Sequence, residues 1–149
     1  VNREVLAILE HYGVETIELG AQSMRNSVLY RSGRGHTAED VESASVLVRS
    51  AGFRLVLQMM TGLPEDSEEG AVETAERLIA LRPDAVRIYP TVVLRGTELE
   101  RLWQCGLYEA HGVEDAVRVC ARIVPLFEDA GIPIIRLISS NFSLEKLSL

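Results

Sequence analysis

The sequence predicts an α/β fold, a partial parallel β/α barrel of about four strands with helices on the outside, and three observations carry that prediction. Apolar runs of strand length alternate with longer runs of helical period. The helical runs are bracketed by capping and stop residues. Every strand run has one apolar face and one face bearing a long polar side chain.

In chain order, the opening VNREVLAILEHYG reads as an amphipathic helix without the apolar core of a signal peptide. Glu15-Thr-Ile-Glu-Leu-Gly20 is the first strand. Thr37-Ala-Glu-Asp40 resembles a capping box and opens a helix that stops at Gly52. Phe53 to Met60 is the second strand, and Ser67 caps a helix that runs to Leu81 before Arg82-Pro83. Ala85 to Pro90 is the third strand. Thr97-Glu-Leu-Glu100 is a second capping box, on a helix closed by Gly106. A last helix from about Val113 ends at Gly131, and Pro133-Ile-Ile-Arg-Leu-Ile138 is the fourth strand. Strands separated by helices pair in parallel through right-handed crossovers. No linker or low-complexity break divides the chain, so residues 1–149 read as one unit.

The strand faces narrow the architecture. Ile17 and Leu19 oppose Glu18; Leu55 and Leu57 oppose Val56 and Gln58; Val86 and Ile88 oppose Arg87 and Tyr89; Ile135 and Leu137 oppose Arg136. Central strands of a doubly wound open sheet are apolar on both faces. Here one face is apolar, which fits a barrel wall whose polar residues look into a lumen. Closed eight-stranded barrels fill the lumen with branched apolar layers, so Glu18, Gln58, Arg87, Tyr89 and Arg136 point to a TIM-barrel-like half barrel around a polar ligand. The competing reading is an internal salt-bridge network of Glu18 with Arg87 and Arg136. Four strands cannot close a barrel, so a missing N-terminal half of the same protein or a second copy of the chain is expected to cover the open edges.

Composition excludes several functions. The 149 residues are 47% hydrophobic and 25% charged, ordinary for a globular domain. The formal net charge of -7 gives no footprint for nucleic-acid phosphates, so direct transfer RNA binding is not supported by charge. No apolar run is long enough to span a bilayer, and a cytoplasmic setting without membrane contact is expected. Cys105 and Cys120 are too few and too widely spaced for a disulfide framework or a CxxC knuckle, and each reads as a small helix-packing residue.

The loops at the strand exits carry a further signal. Glu18-Leu-Gly-Ala-Gln22-Ser23 comes first, then Arg34-Gly-His36-Thr37 with Glu39-Asp40. Gln58-Met-Met-Thr-Gly62-Leu63-Pro64 follows, and then Arg87-Ile-Tyr89-Pro90-Thr91 with Gly96-Thr97-Glu98-Leu99. Singly each is a common turn. In this order the series closely resembles the later half of the radical S-adenosylmethionine domain in the family of the elongator complex catalytic subunit, and more loosely the oxygen-independent coproporphyrinogen oxidases. The match runs to about Arg136.

The resemblance implies a six-stranded partial barrel that holds S-adenosylmethionine against a 4Fe-4S cluster. Reductive cleavage of the sulfonium then gives a 5'-deoxyadenosyl radical that abstracts hydrogen from substrate, while the protein orients the cofactor and excludes water. On this view the chain is the C-terminal part of such a barrel domain. The family's CxxxCxxC loop is absent from it, so the chain has no cluster ligands of its own.

Carried over residue by residue, Gln22 and Gln58 match polar contacts to the cofactor's ribose or methionine portion, against turn hydrogen bonding as the simpler role. Arg34 matches a basic position near the cofactor carboxylate, against a solvated loop arginine. Glu18 would orient Arg34 or touch the cofactor, against the lumen salt bridge. Met60, Leu63 and Pro64 match the strand exit packed near the adenine, against plain core or turn packing. Tyr89 and Thr91 sit at the next exit, within reach of adenine or substrate. His36 reads as a helix-entry residue, since no second ligand lies at metal spacing.

Two functions follow: the cofactor-facing piece of a radical S-adenosylmethionine enzyme, or a non-catalytic half barrel that self-associates or binds a partner. The cysteines give a direct expectation. After anaerobic incubation with iron and sulfide the purified chain should stay colourless, and a stable visible absorption with stoichiometric iron would overturn it.

Overall fold

The computed structural model describes residues 1–137. Helix α1 (Arg3–His11) is capped by Asn2, whose Oδ1 accepts from the Val5 backbone N–H at 2.9 Å, and it sends Leu6 into the core. The chain then runs through β1 (Thr16–Gln22), α2 (Asn26–Arg31), α3 (Ala38–Ser50), β2 (Arg54–Thr61), α4 (Glu68–Ala80), β3 (Ala85–Pro90), α5 (Glu98–Gln104), α6 (Val113–Asp129) and β4 (Ile134–Leu137). The four strands form one parallel sheet in the order β1-β2-β3-β4.

The capping chemistry explains most boundaries. The Thr37 hydroxyl accepts from the Asp40 N–H at 3.2 Å and the Asp40 carboxylate accepts from the Thr37 N–H at 2.8 Å, a complete capping box for α3. Ser67 Oγ accepts from the Gly70 N–H at 3.0 Å to start α4. The second expected box is half formed. Thr97 Oγ1 accepts from the Glu100 N–H at 3.2 Å, but the Glu100 carboxylate takes the Gly96 N–H at 2.7 Å instead of closing on Thr97.

Helix α2 was not expected from the pattern. It has six residues and no side-chain cap, too short for a periodic signal, and it forms because Val28 and Leu29 bury completely.

Helices α3, α4 and α6 cover one face of the sheet. Leu55, Leu57, Met59, Val86 and Ile88 meet Val48, Ala75, Leu78, Ile123 and Phe127 there, with Ile17 and Leu19 partly buried against the same cluster. The expected faces therefore hold for β1, β2 and β3. In β4 they need correction. The β3–β4 register pairs Val86 with Ile134, Arg87 with Arg136 and Ile88 with Leu137, so one extra residue, Ile135, lies between the first two pairs. Ile134 packs on the core while Ile135 is 51% exposed and Leu137 37% exposed. Arg136 keeps its expected face because the irregularity resets the alternation before it.

Among the described residues the outer edges of β1 and β4 are unpaired. Val5 and Ile8 of α1, with Val1 before it and Tyr12 at its C-cap, are all exposed, at the spacing of a single helix stripe. Unpaired backbone edges template further pairing. The isolated chain is expected to self-associate, with a light-scattering mass that rises with concentration; a sharp monomer mass over a wide range would refute this.

Candidate functional site

The uncovered face of the sheet is laid out in rows by the register. Glu18, Val56 and Ala85 form one row; Gly20, Gln58, Arg87 and Arg136 the next; Met60 and Tyr89 the third, at the strand exits. Glu18 Oε1 lies 3.1 Å from Arg87 Nε, but Nε is buried without a well-aligned hydrogen bond, so the contact is an ion pair rather than a directed bond. Arg87 Nη1 donates to the Tyr89 hydroxyl at 3.4 Å. That bond, and secondarily the Glu18 carboxylate, hold the guanidinium more firmly protonated than usual. Glu18 thus pairs with Arg87 and does not orient Arg34, and Arg136 has no carboxylate partner among the described residues, so the three-membered network does not form.

The exit of β1 is irregular. The register steps from Gly20–Gln58 to Gln22–Met59, leaving Ala21 between the pairs, and Gln22 takes a left-handed backbone with φ of 65°. Its side chain folds back over Gly20, where an added Cβ would stand 2.5 Å from Gln22 Nε2. Gln22 is 7% exposed, and its Oε1 is buried without a hydrogen-bond partner. Thr61 at the exit of β2 and Thr91 just beyond β3 share that condition. Both are buried with unpartnered hydroxyls, although their backbones are joined by the Thr91 N–H donating to the Thr61 carbonyl at 2.9 Å. An unpaired buried polar atom costs about 1–3 kcal/mol, so several at one end of a sheet require an explanation.

The loop between α2 and α3 leans over the same end. His36 Nε2 lies 3.2 Å from the Ala21 carbonyl, which fits its helix-entry role and ties the loop to the β1 exit. Arg34 Nη2 reaches Met60 Sδ at 3.4 Å, so its guanidinium stands above the third row. Arg34 and Tyr30 line a shallow cavity of about 200 Å³. Gln58 and Met60 are half-buried on the open face, and Leu63 and Pro64 are buried in the turn after β2.

That turn is held by residues the sequence did not single out. The Tyr108 hydroxyl donates to the Gly62 carbonyl at 2.7 Å in a buried contact. His111 lies directly on Gly62, where an added Cβ would meet Nδ1 at 2.6 Å, and Gly62 has φ of 72°. Tyr108 and His111 lie more than forty residues along the chain from Gly62, so no local spacing announces them. Asp66 follows in the same loop. Its Oδ1 is buried and unpartnered, and Gly70 leaves the space into which Asp66 and Arg25 both reach. Among the described residues no group of three His, Cys, Asp or Glu side chains could hold a metal. Cys120 is buried in α6 as expected, but Cys105 is exposed at the C-cap of α5 and packs nothing, because that short helix buries no residue. A 4Fe-4S cluster therefore has no holder in these residues.

Burial pushes the Asp66 carboxyl above its ordinary range, opposed by the Ser67 backbone and the Arg25 charge. The folded state thus holds this proton more tightly than the unfolded chain. Its contribution is fully present below the unfolded value of ~3.9 and is lost as pH rises through the raised folded value. Asp66→Asn should leave stability near pH 3 almost unchanged and raise it at pH 7. Urea midpoints at the two pH values check this, and a variant less stable at pH 7 would contradict it.

Comparison with known proteins identifies the architecture. Residues 1–78 match the Radical SAM superfamily model, and residues 83–144 match the Radical SAM C-terminal domain. Human elongator complex protein 3 is 37% identical over 118 residues, covering 77% of this chain and 22% of that protein. The tRNA uridine(34) acetyltransferase of Methanocaldococcus jannaschii is 33% identical over 110 residues, covering 72% of this chain and 20% of that one. The chain thus spans about a fifth of the curated relatives it matches. Among solved structures, the archaeal Methanocaldococcus infernus Elp3 superposes with a TM-score of 0.82 at 27% identity, over 99% of this chain and 35% of that chain. Coproporphyrinogen III oxidase (HemN) of Escherichia coli superposes with a TM-score of 0.71, over 88% of this chain and 30% of that chain; at 17% identity it supports the fold alone. With its half barrel, its polar lumen face and a family model over more than half its length, the chain belongs to the radical SAM superfamily.

Proposed function

We propose that this chain is the cofactor-facing C-terminal part of a radical S-adenosylmethionine enzyme's barrel. The observation that carries the reading is the pair of buried, unpartnered polar atoms on Gln22 and Thr91, at the exits of β1 and β3. Natural proteins retain such atoms where a ligand completes them. The groups present suit a nucleoside joined to an amino acid. Gln22 and Gln58 offer amide donors and acceptors to ribose hydroxyls, Arg34 offers a guanidinium to a carboxylate, and Met60, Leu63 and Pro64 offer an apolar edge to adenine.

S-adenosylmethionine would supply the sulfonium whose reductive cleavage yields an adenosyl radical. This chain's own residues bind and orient: Arg34 fixes one end, Gln22 and Gln58 fix the sugar, and the turn clamped by Tyr108 keeps the adenine edge in place. A cluster would be held by a part of the parent outside these residues. The transfer RNA in one relative's name is carried over as the parent's substrate, and the absence of any described helix able to cross a membrane fits a cytoplasmic enzyme.

A second reading, a non-catalytic half barrel that pairs with its own copy, is favoured by the open sheet edges and the apolar stripe on α1. Ligand binding separates the two. S-adenosylmethionine or 5'-deoxyadenosine at high concentration should shift backbone resonances at residues 20–24, 58–64 and at Thr91. Gln58→Ala and Gln22→Ala should each weaken binding by about 1–2 kcal/mol. Shifts confined to α5 and α6, or unchanged affinity in both folded variants, would favour the second reading.

A further inference from the structure

The uncovered face divides into two halves. The β1–β2 half carries Gln22, Gln58 and the overhanging Arg34, which the proposed cofactor would occupy. The β3–β4 half carries Arg87, Tyr89 and Arg136, to which that reading gives no ligand. Three features of this second half belong together.

Arg87 and Arg136 are neighbours in register on adjacent strands, a like-charge pairing that destabilises a sheet unless an anion lies between. One carboxylate, Glu18, stands in the row below, and it reaches Arg87 alone. Arg87 Nε is buried with no aligned acceptor, although a guanidinium is built to donate from every nitrogen. The Tyr89 hydroxyl accepts from Arg87, which leaves its own proton to donate outward.

We propose that Arg87, Arg136 and Tyr89 form an oxyanion site for a phosphate group of the substrate, beside the cofactor and not overlapping it. The inference rests on the cofactor reading above for which half is left to substrate. A carboxylate is satisfied by one guanidinium fork. Phosphate presents more acceptor oxygens and up to two charges, and so matches two forks with a hydroxyl donor beside one of them. The overall charge of -7 does not oppose this, since a ligand on the open face meets first the charges nearest to it.

Inorganic phosphate is the probe, titrated into the 149-residue chain at low ionic strength and followed through the arginine Nε–H resonances. The Arg87 and Arg136 signals should shift together, with acetate binding at least about tenfold more weakly. Arg136→Gln should weaken phosphate binding about tenfold or more, and Arg136→Lys, which keeps the charge without the fork, should fall between. Glu18→Gln removes the competing carboxylate and should tighten binding. Phosphate affinity unchanged in Arg136→Gln or in Glu18→Gln, with the fold intact by circular dichroism, overturns the proposal. So does competition between phosphate and S-adenosylmethionine, which would mean one site rather than two. If phosphate binds and responds to both substitutions while S-adenosylmethionine does not bind the unsubstituted chain, the cofactor reading falls and the oxyanion site stands.

Discussion

Everything in this molecule depends on covering a parallel sheet with helices on one face alone. Side chains alternate with a period of two along a strand, and the helices α3, α4 and α6 can shield only one of the resulting faces. Leu55, Leu57, Val86 and Ile88 are fully buried under Ile123, Phe127 and Leu78, and their neighbours in sequence are turned away by geometry, whatever their polarity. A row such as Gln58, Arg87 and Arg136 is therefore not tolerated beside the core; it is the necessary other side of it. Adding a residue within β2 or β3 would exchange the two faces and bury charge, so the register that stabilises the fold also sets the site.

Two irregularities interrupt this alternation, and both lie where the chain turns from scaffold to site. At Ala21 the β1 register skips a residue, Gln22 adopts a left-handed backbone and its amide is laid over Gly20. At Ile135 the β4 register skips another, which keeps Arg136 in line with Arg87 while exposing an isoleucine. Each costs something locally: a strained backbone with an unpaired amide oxygen in one case, an exposed apolar side chain in the other. The compensation at the first lies nearby, because His36 braces the Ala21 carbonyl and Thr74 Oγ1 accepts the Met24 N–H at 3.1 Å, holding the segment after the bulge.

The scaffold was legible in the sequence because its signals are short-range. The Thr37–Asp40 box, the Ser67 cap and the period of two in Leu55–Gln58 and Val86–Tyr89 each lie within a few residues, and each is obeyed. The candidate site was legible in its strand residues and in the loop residues that the resemblance matched, Arg34, Leu63 and Pro64. Helix α2 escaped because six residues hold less than two turns of pattern. The face of Ile135 escaped because a bulge is indistinguishable from an ordinary residue until its partner strand is known. Tyr108 and His111 escaped for a different reason: they act on the Gly62 turn through contacts far along the chain, and nothing about a tyrosine between two helices says which carbonyl it will reach.

The ion pairs show how the net charge is distributed over the molecule. Most of the paired arginines lie on the helices and loops outside the lumen. Arg118 and Arg122 of α6 bridge to Glu68 and Glu69 of α4, Arg77 of α4 to Glu42 of α3, Arg101 to Glu98 within α5, and Arg31 at the end of α2 to Glu65 in the loop after β2. These exposed pairs contribute little singly, but together they use up cations where carboxylates are plentiful. The acidic excess is left on the outer surface. On the open face of the sheet the proportion is reversed among the described residues, where Arg34, Arg87 and Arg136 stand with one carboxylate, Glu18, which reaches Arg87 alone. A summed charge averages these two populations and so describes neither. A ligand on the proposed site would meet the local field of the open face rather than that average.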